Sequence, residues 1–509
     1  MPRYAAFDIG SNSVRMLAAD AIPGKTETLV AEREVTRLGK SVYETGAISA
    51  EAMESVTAVL RRMAASAAKF DPAGVRAVAT AAVRDASNQA EFLERASAAI
   101  GAPVEVISGQ EEARLVHLGV ESRWPHAGER VMIIDVGGGS GEIIVGENGR
   151  LREAFSKPVG AVRLAGVFLR HDPPEAIELL QMREFIDEKL GVAFKEVGGL
   201  DFDRAIGTSS TAGALVCVAH RIPRARRDEA DKLRATLPQV RKIYEQLCER
   251  SAEQRAKIPG IGPRRAQIIV PGVAVLLACM ERFGLPAIHY STAGVRDGVI
   301  ADLSARRVGA ERSQLSREQR RVVEQMAVRF SVDLRHVRKV TSFCHLLFDS
   351  LRPLHGLEPD WGKLLEAAAT LYDIGHFISD TGHHKHSQYI VANSDLPGFT
   401  DREKHLISLL CRFHRKSMPG TRHADYTGLP GEDRKSVLML VPILRLAEAL
   451  DIASEQRVEE ISCRVTADAV VLGLSTRKQA DLEEWASRRA GEAFRSVYGR
   501  PLELTISAR

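Results

Sequence analysis

Apolar and polar positions along the chain fall into two textures. Residues 3–7 (Arg-Tyr-Ala-Ala-Phe) form a short, largely apolar run that breaks at Asp8-Ile-Gly10-Ser11-Asn12-Ser13. That is the pattern of a buried strand entering a turn rich in hydrogen-bond donors. The strand signal returns over 75–80, 103–108 and 131–135, and Ala- and Arg-rich stretches of helical period lie between, over 49–70 and 86–100. Strands alternating with helices predict an α/β architecture. The theme restarts after Trp124-Pro125-His126, so a boundary is expected there. From about Ser316 the period lengthens into amphipathic helices over 318–351, 362–373 and 401–415, and ten of the fifteen histidines fall in this half. The tail from 458 to 507, alternating over 465–474 and 502–506, reads as a small α+β cap. The expected division is 1–125, 126–304, 312–457 and 458–509.

Composition narrows the class. At ~100–200 residues per domain, 509 residues imply three or four domains and exclude a single small binding module. With 45% hydrophobic and 27% charged residues, global disorder is excluded too. A net charge of +4 is too small for a nucleic-acid coat, and 5% aromatic residues without a stacking series leave no nucleic acid among the expected partners. The six cysteines lie far apart, which suggests neither zinc nor a disulfide framework. The N-terminal run meets an acid and a glycine where a secretory leader needs apolar residues, and no apolar run reaches membrane-spanning length. A cytoplasmic protein with no membrane partner is expected.

The strongest chemical signal is Asp135-Val-Gly137-Gly138-Gly139-Ser140-Gly141-Glu142, directly after an apolar strand. Three successive glycines expose backbone N–H groups that wrap a phosphate closely. Asp135 and Glu142 flank the loop and place two carboxylates near the same phosphate, as a Mg²⁺ site requires. Asp8-Ile-Gly10-Ser11-Asn12-Ser13 repeats the design, so two facing half-domains with phosphate between them are expected. Arg84 lies four residues after Thr80 and four before Asn88, which on one helix would put all three on one face. There the guanidinium would grip a terminal phosphate.

The paired loops resemble those of the actin, sugar kinase and 70-kilodalton heat-shock ATPase superfamily. Asp8–Ser13, Ala79-Thr-Ala-Ala-Val-Arg84-Asp-Ala-Ser-Asn88, Ile107-Ser-Gly-Gln-Glu-Glu112-Ala-Arg114 and Asp135–Ser140 together resemble the exopolyphosphatase and guanosine pentaphosphate phosphohydrolase family. Gly207-Thr208-Ser209-Ser210-Thr211, Arg265-Ala-Gln-Ile-Ile-Val-Pro-Gly272 and Ser291-Thr-Ala-Gly294-Val-Arg296-Asp-Gly298 extend the likeness to about residue 303. Beyond it, Asn393-Ser-Asp-Leu-Pro-Gly398 and Arg412-Phe-His414-Arg415-Lys416 resemble the long family members, whose C-terminal half is an HD-like helical domain.

The resemblance implies two actin-like (ribonuclease H-like) half-domains flanking a phosphate cleft. It implies that Glu112, in preference to Glu111, positions and deprotonates the attacking water, with Glu142 and Arg84 completing the catalytic set. Phosphate would be held by Gly10, Ser11, Asn12, Ser13, Gly137, Gly138, Gly139, Ser140, Thr208, Ser209, Ser210 and Arg265. Mg²⁺, with Mn²⁺ as the substitute, would sit on Asp135 and Glu142, and a homodimer is expected.

Three departures from the family pattern carry information. Ser209–Ser210 stand where relatives often carry a second glycine, Gly141 replaces a common threonine, and Tyr372 precedes Asp373 where an HD site has a metal-binding histidine. The C-terminal half is therefore expected to be catalytically silent and metal-free, with His345, His414 and Asp451 as counterparts of the other HD positions. His383, His384, Lys385, Arg415 and Lys416 would form a polyphosphate track, and Arg221, Arg224, Arg226, Arg227, Lys257, Arg264 and Arg265 lie near expected phosphate paths. The preferred activity is Mg²⁺-dependent exopolyphosphatase, releasing orthophosphate from inorganic polyphosphate. The close alternative is guanosine pentaphosphate (pppGpp) 5′-phosphohydrolase. An alternative of another class is an actin-like nucleotide-switched binding protein.

Overall fold

The computed structural model describes residues 1–306, 313–476 and 480–508, and the chain divides into two compact units, Met1–Gly309 and Ala310–Arg509. In the first, strands β1 (Arg3–Ile9), β2 (Val14–Ile22), β3 (Lys25–Glu34), β4 (Gly74–Ala79) and β5 (Val104–Val106) form a sheet in the order β3-β2-β1-β4-β5. Strands β6 (Arg130–Val136), β7 (Gly141–Glu147), β8 (Arg150–Lys157), β9 (Arg204–Thr208), β10 (Arg234–Thr236) and β11 (Ala287–Tyr290) form a second, ordered β10-β11-β9-β6-β7-β8. Each sheet is an antiparallel three-strand meander extended by two parallel strands, and the second adds β10 as an antiparallel edge strand on β11. One topology thus occurs twice, the ribonuclease H-like arrangement of actin-like proteins.

The central strands read as apolar runs because both faces of each sheet are covered. Ala5, Phe7 and Ile9 of β1 pack into one core, while Tyr4 and Ala6 pack into another that also takes Ile133 and Ile144 of the second sheet. Helices Gly109–Arg123 and Val295–Arg306 fill that shared layer with Leu115, Val116, Val299 and Ile300. Gly298 permits their approach, since a Cβ there would strike the Leu115 carbonyl.

A buried charge network sits beside this contact. Arg114 Nε donates to Glu111 Oε2 at 2.7 Å and Arg114 Nη2 to Asp302 Oδ1 at 2.8 Å, while Arg76 Nη1 donates to Asp302 Oδ2 at 2.9 Å. Burial opposes ionisation of Glu111, but Arg114 and Arg76 outweigh it and hold the carboxyl below its usual range.

In the second unit the helical stretch expected over 318–351 is two helices, Arg317–Arg329 and Leu334–Ser350. Ser331 turns the chain at φ 58° and Asp333 caps the second helix through the N–H groups of Arg335 and His336. The alternation over 465–474 spans a turn between β12 (Val458–Val465) and β13 (Val470–Thr476), with β14 (Leu502–Ala508) parallel to β13 after helix Asp481–Tyr498. Val458, Val470 and Leu472 share one core with Leu347, Leu365 and Leu440 of the helices. No described helix is long and apolar enough to cross a membrane.

Glu111→Ala should destabilise the first unit by about 3–5 kcal/mol, because it strands Arg114 and Arg76 as buried, under-compensated cations. The calorimetric transition of that unit measures it, and an unchanged transition would show the network to be energetically idle.

Candidate active site

Two turns of the same design face each other. Gly10 N–H donates to Ser13 O at 3.1 Å, and Gly137 N–H donates to Ser140 O at 3.0 Å. The second turn packs against the first: a Cβ on Gly138 would come within 2.9 Å of Ser11 Cβ, and one on Gly139 would overlap the Tyr43 hydroxyl. Gly138 is therefore required by the approach of the first turn at Ser11 and Asn12, and Gly139 by the side chains of Tyr43, Ala81 and Ser11. Between the turns is a pocket of about 60 Å³ lined by Asp8, Glu112, Asp135, Ser209 and Arg265 as well as the turns themselves.

Register explains how the acids meet. Asp135 on β6 lies directly opposite Glu142 on β7, and in the first sheet Asp8 lies opposite Arg15. Side chains directly opposite in an antiparallel pair share a face about 4.5–5.5 Å apart at Cβ. Ser156 on β8, opposite Glu142, donates to its Oε1 at 2.9 Å. Glu112 arrives from the first turn of helix Gly109–Arg123, whose N-cap Ser108 accepts from the Glu111 N–H. Neighbouring helix residues point about 100° apart, so Glu111 enters the charge network while Glu112 faces the pocket.

Asp8, Glu112, Asp135 and Glu142 are all buried. Burial pushes every one of these carboxyls up, and neighbouring acids add to it at Asp8, Glu112 and Glu142. Glu142 reaches about 8, raised first by burial and then by Asp135, and Glu112 is pushed well above its usual range by burial and by Glu142. Glu112 Oε2, Asp135 Oδ1 and Glu142 Oε2 are buried without a hydrogen-bond partner among the described residues. Buried carboxylate oxygens grouped beside the pocket are the donor set a hard divalent cation takes.

The other expected residues divide. Ser11 Oγ accepts from Ala82 N–H at 3.2 Å and bonds the Tyr43 hydroxyl at 3.0 Å, so it braces the turn. Ser13, Asn12, Ser140 and Ser210 line the pocket and Thr208 is fully buried beneath it. Ser209 takes a left-handed φ of 68°, a conformation glycine adopts without strain, and its hydroxyl turns back to donate to Val136 O at 2.9 Å. A side chain on Gly141 would press on Val159 at 2.8 Å, so the missing threonine's space is already filled. Arg84 Nη1 donates to Ile107 O at 2.7 Å and lies 3.7 Å from Glu112 Oε2. The shared face of Thr80, Arg84 and Asn88 is not formed: the helix is only Ala81–Asp85, and Asn88 instead bonds both backbone groups of Ile48.

Sharing Arg15, Ser209 and Arg265 with the acid pocket is a cavity of about 430 Å³. Arg33, Arg224, Arg227, Arg264 and Arg296 also line it, against only Glu32 and Asp228. Arg15 and Arg33 stand directly opposite across β2 and β3, a repulsive like-charge pair. Burial, then Arg227 and Arg15, lower Arg265 to about 9. Neither Arg15 nor Arg33 was singled out by sequence reasoning, and only the register of the two strands reveals them. Arg226 and Lys257 lie in surface pairs with Glu229 and Glu253.

In the second unit the expected track is broken. Lys385 and Lys416 are exposed, but His383 and His384 are buried at 3% and 5% exposure, because the first turn of helix His383–Asn393 packs inward. Tyr372 is buried with its hydroxyl 2.7 Å from His336 Nε2, and His336 Nδ1 is 2.8 Å from Asp451. His336 therefore partners Asp451, whereas His345 pairs with Glu366 at 3.3 Å.

A duplicated sheet whose strand ends close around a phosphate-sized, acid-walled pocket places the chain in the actin-like class. Comparison with known proteins narrows this. The model of the Ppx/GppA phosphatase family matches residues 18–307, and that of its domain III matches 319–486. The chain belongs to the Ppx/GppA phosphatase family. It is 27% identical over 94% of its length to a guanosine-5′-triphosphate,3′-diphosphate pyrophosphatase of Vibrio vulnificus, covering 92% of that protein. A protein of the same name from Aeromonas hydrophila is 28% identical, with 93% and 92% covered. Among solved structures, the PPX-GPPA enzyme of Aquifex aeolicus is 32% identical, with a TM-score of 0.52 over 59% of this chain and 99% of that one. An exopolyphosphatase from Cytophaga hutchinsonii is 27% identical, with a TM-score of 0.55 over 59% and 97%.

Because Glu142 titrates near 8 in the folded chain against 4.5 ordinarily, its contribution to stability is full below pH 4.5 and is lost as the pH rises through about 8. In chelator, the first unit should lose stability over that window. Thermal melts at stepped pH read the loss, and Glu142→Gln, which cannot ionise, should reduce it, with Glu112 supplying the remainder.

Proposed function

We propose that the chain hydrolyses the 5′-terminal phosphoanhydride of pppGpp, releasing orthophosphate and leaving guanosine tetraphosphate. The observation that carries the reading is the arginine-lined cavity of about 430 Å³ adjoining the acid pocket. Its arginine-rich lining next to the turns suits a compact molecule with anionic groups at two ends: a 5′-triphosphate reaching the turns and a 3′-diphosphate among the arginines. The two relatives from Vibrio vulnificus and Aeromonas hydrophila, aligned over nearly the whole chain, carry that substrate in their names. The reasons for preferring polyphosphate weaken at the same time, since two of the five track residues are buried and the Ser209 hydroxyl turns away from the cavity.

The turns' backbone N–H groups hold the terminal phosphate, and Glu112 accepts the proton of a water whose oxygen attacks the terminal phosphorus. The bridging oxygen leaves with the nucleotide. Arg84 orients Glu112 and meets the phosphate. Asp135 and Glu142 would hold Mg²⁺, or Mn²⁺ in its place. A bound Mg²⁺ supplies neutralisation of the phosphate oxygens. Phosphoryl transfer depends mainly on such positioning and charge stabilisation, so a carboxylate suffices as the base.

Inorganic polyphosphate is the second reading. It is favoured by the number of arginines on the cavity wall, and by the likeness to the Cytophaga hutchinsonii exopolyphosphatase. Phosphate release from pppGpp and from long polyphosphate, measured side by side with Mg²⁺, separates the two. At least about tenfold higher kcat/KM on pppGpp is expected, a 1.4 kcal/mol difference in transition-state binding, and faster release from polyphosphate would overturn the choice.

Glu112→Gln should lower kcat by about 10²–10⁴ while substrate still binds. Because Glu112 must be ionised to act and its pKa is raised, kcat/KM should climb with pH above the ordinary carboxylate range, and the variant should lose that limb. Arg33→Ala should instead raise KM by about tenfold or more with kcat little changed, and an equal fall in kcat would remove Arg33 from the substrate's far end.

A further inference from the structure

The second unit contains a side-chain cluster that the phosphatase reading does not use. Asp373 follows helix Pro359–Leu371, His376 lies in the next turn, His383 opens helix His383–Asn393, and His414 ends helix Asp401–Phe413. From Asp373 Oδ1 the Nε2 atoms of His376, His383 and His414 lie at 3.6, 3.6 and 3.9 Å, and those of His383 and His414 are 3.2 Å apart. Ligating atoms of Asp373, His376 and His383 all fall within 4.8 Å of one another.

The opposite ring nitrogens are all engaged by oxygen. His376 Nδ1 is 2.7 Å from Asp380 Oδ1, His383 Nδ1 is 3.2 Å from Asp380 O, and His414 Nδ1 is 2.7 Å from Cys411 O. A carbonyl only accepts, so His383 and His414 carry their protons on Nδ1. Their Nε2 lone pairs then confront one another at 3.2 Å, with His414 only 1% exposed. An ion pair between His376 and Asp373 at the surface leaves that confrontation unresolved. A cation between the rings removes it.

We propose that Asp373, His376, His383 and His414 form a divalent transition-metal site, with zinc the ion that fits best. Three imidazole nitrogens and one carboxylate oxygen are a zinc donor set, and bonds of about 2.0–2.1 Å give tetrahedral edges of about 3.3 Å, against 3.2–3.9 Å for the Asp373–His376, Asp373–His383, Asp373–His414 and His383–His414 pairs. Nδ1–H donation to carbonyl or carboxylate oxygen is the support that fixes a ligating imidazole's tautomer and direction. Arg415 Nη1 lies 3.2 Å from both ring nitrogens of His383, which puts it over the ring face and leaves the in-plane lone pair open. The site keeps Asp373 and His414 of the HD positions expected from the sequence but not Asp451 or His345, because Asp451 is bonded to His336 and His345 pairs with Glu366. It reverses the expectation of a metal-free domain, and it stands or falls independently of the phosphatase substrate.

Elemental analysis of the full chain, purified without a polyhistidine tag, should find about one zinc per chain, and Co²⁺ replacement should give the intense visible absorption of tetrahedral cobalt. His376→Gln, on an exposed turn that tolerates it, and Asp373→Asn should each weaken zinc retention by at least about tenfold while phosphate release by the first unit continues. His405→Gln should retain full zinc. Metal-free protein that gives no cobalt spectrum, or zinc content equal in wild type and in a folded His376→Gln chain, would overturn the site. The second outcome would assign the ion to the acid pocket of the first unit.

Discussion

The first unit is organised by the close approach of two backbone turns from two copies of one sheet. Gly138 and Gly139 bring the second turn against Ser11 and Asn12, and nothing larger than glycine fits at 139 beneath the Tyr43 hydroxyl. Everything chemical follows from that contact. It draws Asp8, Asp135 and Glu142 from strand ends, and Glu112 from a helix start, into a volume too small and dry for their charges. Arg84 beside Glu112 and Arg15 opposite Asp8 offset part of that crowding, while one oxygen each of Asp135 and Glu142 has no hydrogen-bond partner among the described residues.

Much of this was legible because turn chemistry is local. Asp8–Ser13 and Asp135–Glu142 stand out at the ends of apolar runs, and a seven-residue separation across a tight turn is what puts Asp135 opposite Glu142. The adjacent acids Glu111 and Glu112 could be told apart only by resemblance. In space the difference is one helical step, which sends one into a salt-bridge network and the other into the pocket.

What the sequence hid depends on register and on burial. Arg15 and Arg33 sit at alternating strand positions, where an arginine ordinarily marks a solvent face, and only the β2–β3 pairing sets them opposite each other. His383-His-Lys-His386 looks like a surface charge run, yet its first two residues face the helical core. Tyr372 breaks the HD pattern, and that break concealed the second use of Asp373, whose histidine neighbours come from a turn, a helix start and a helix end that no short motif links.

The arginine wall also bears on what happens after the bond breaks. On the proposed reaction, the product departs with less charge than the substrate brought, while the repulsion among Arg15, Arg33 and Arg265 is unchanged. Part of the attraction that seated the substrate is therefore withdrawn by the reaction itself. Release needs no separate moving part: the cleft discriminates between incoming and outgoing anions by counting their charges, and the unequal grip gives the cycle its direction.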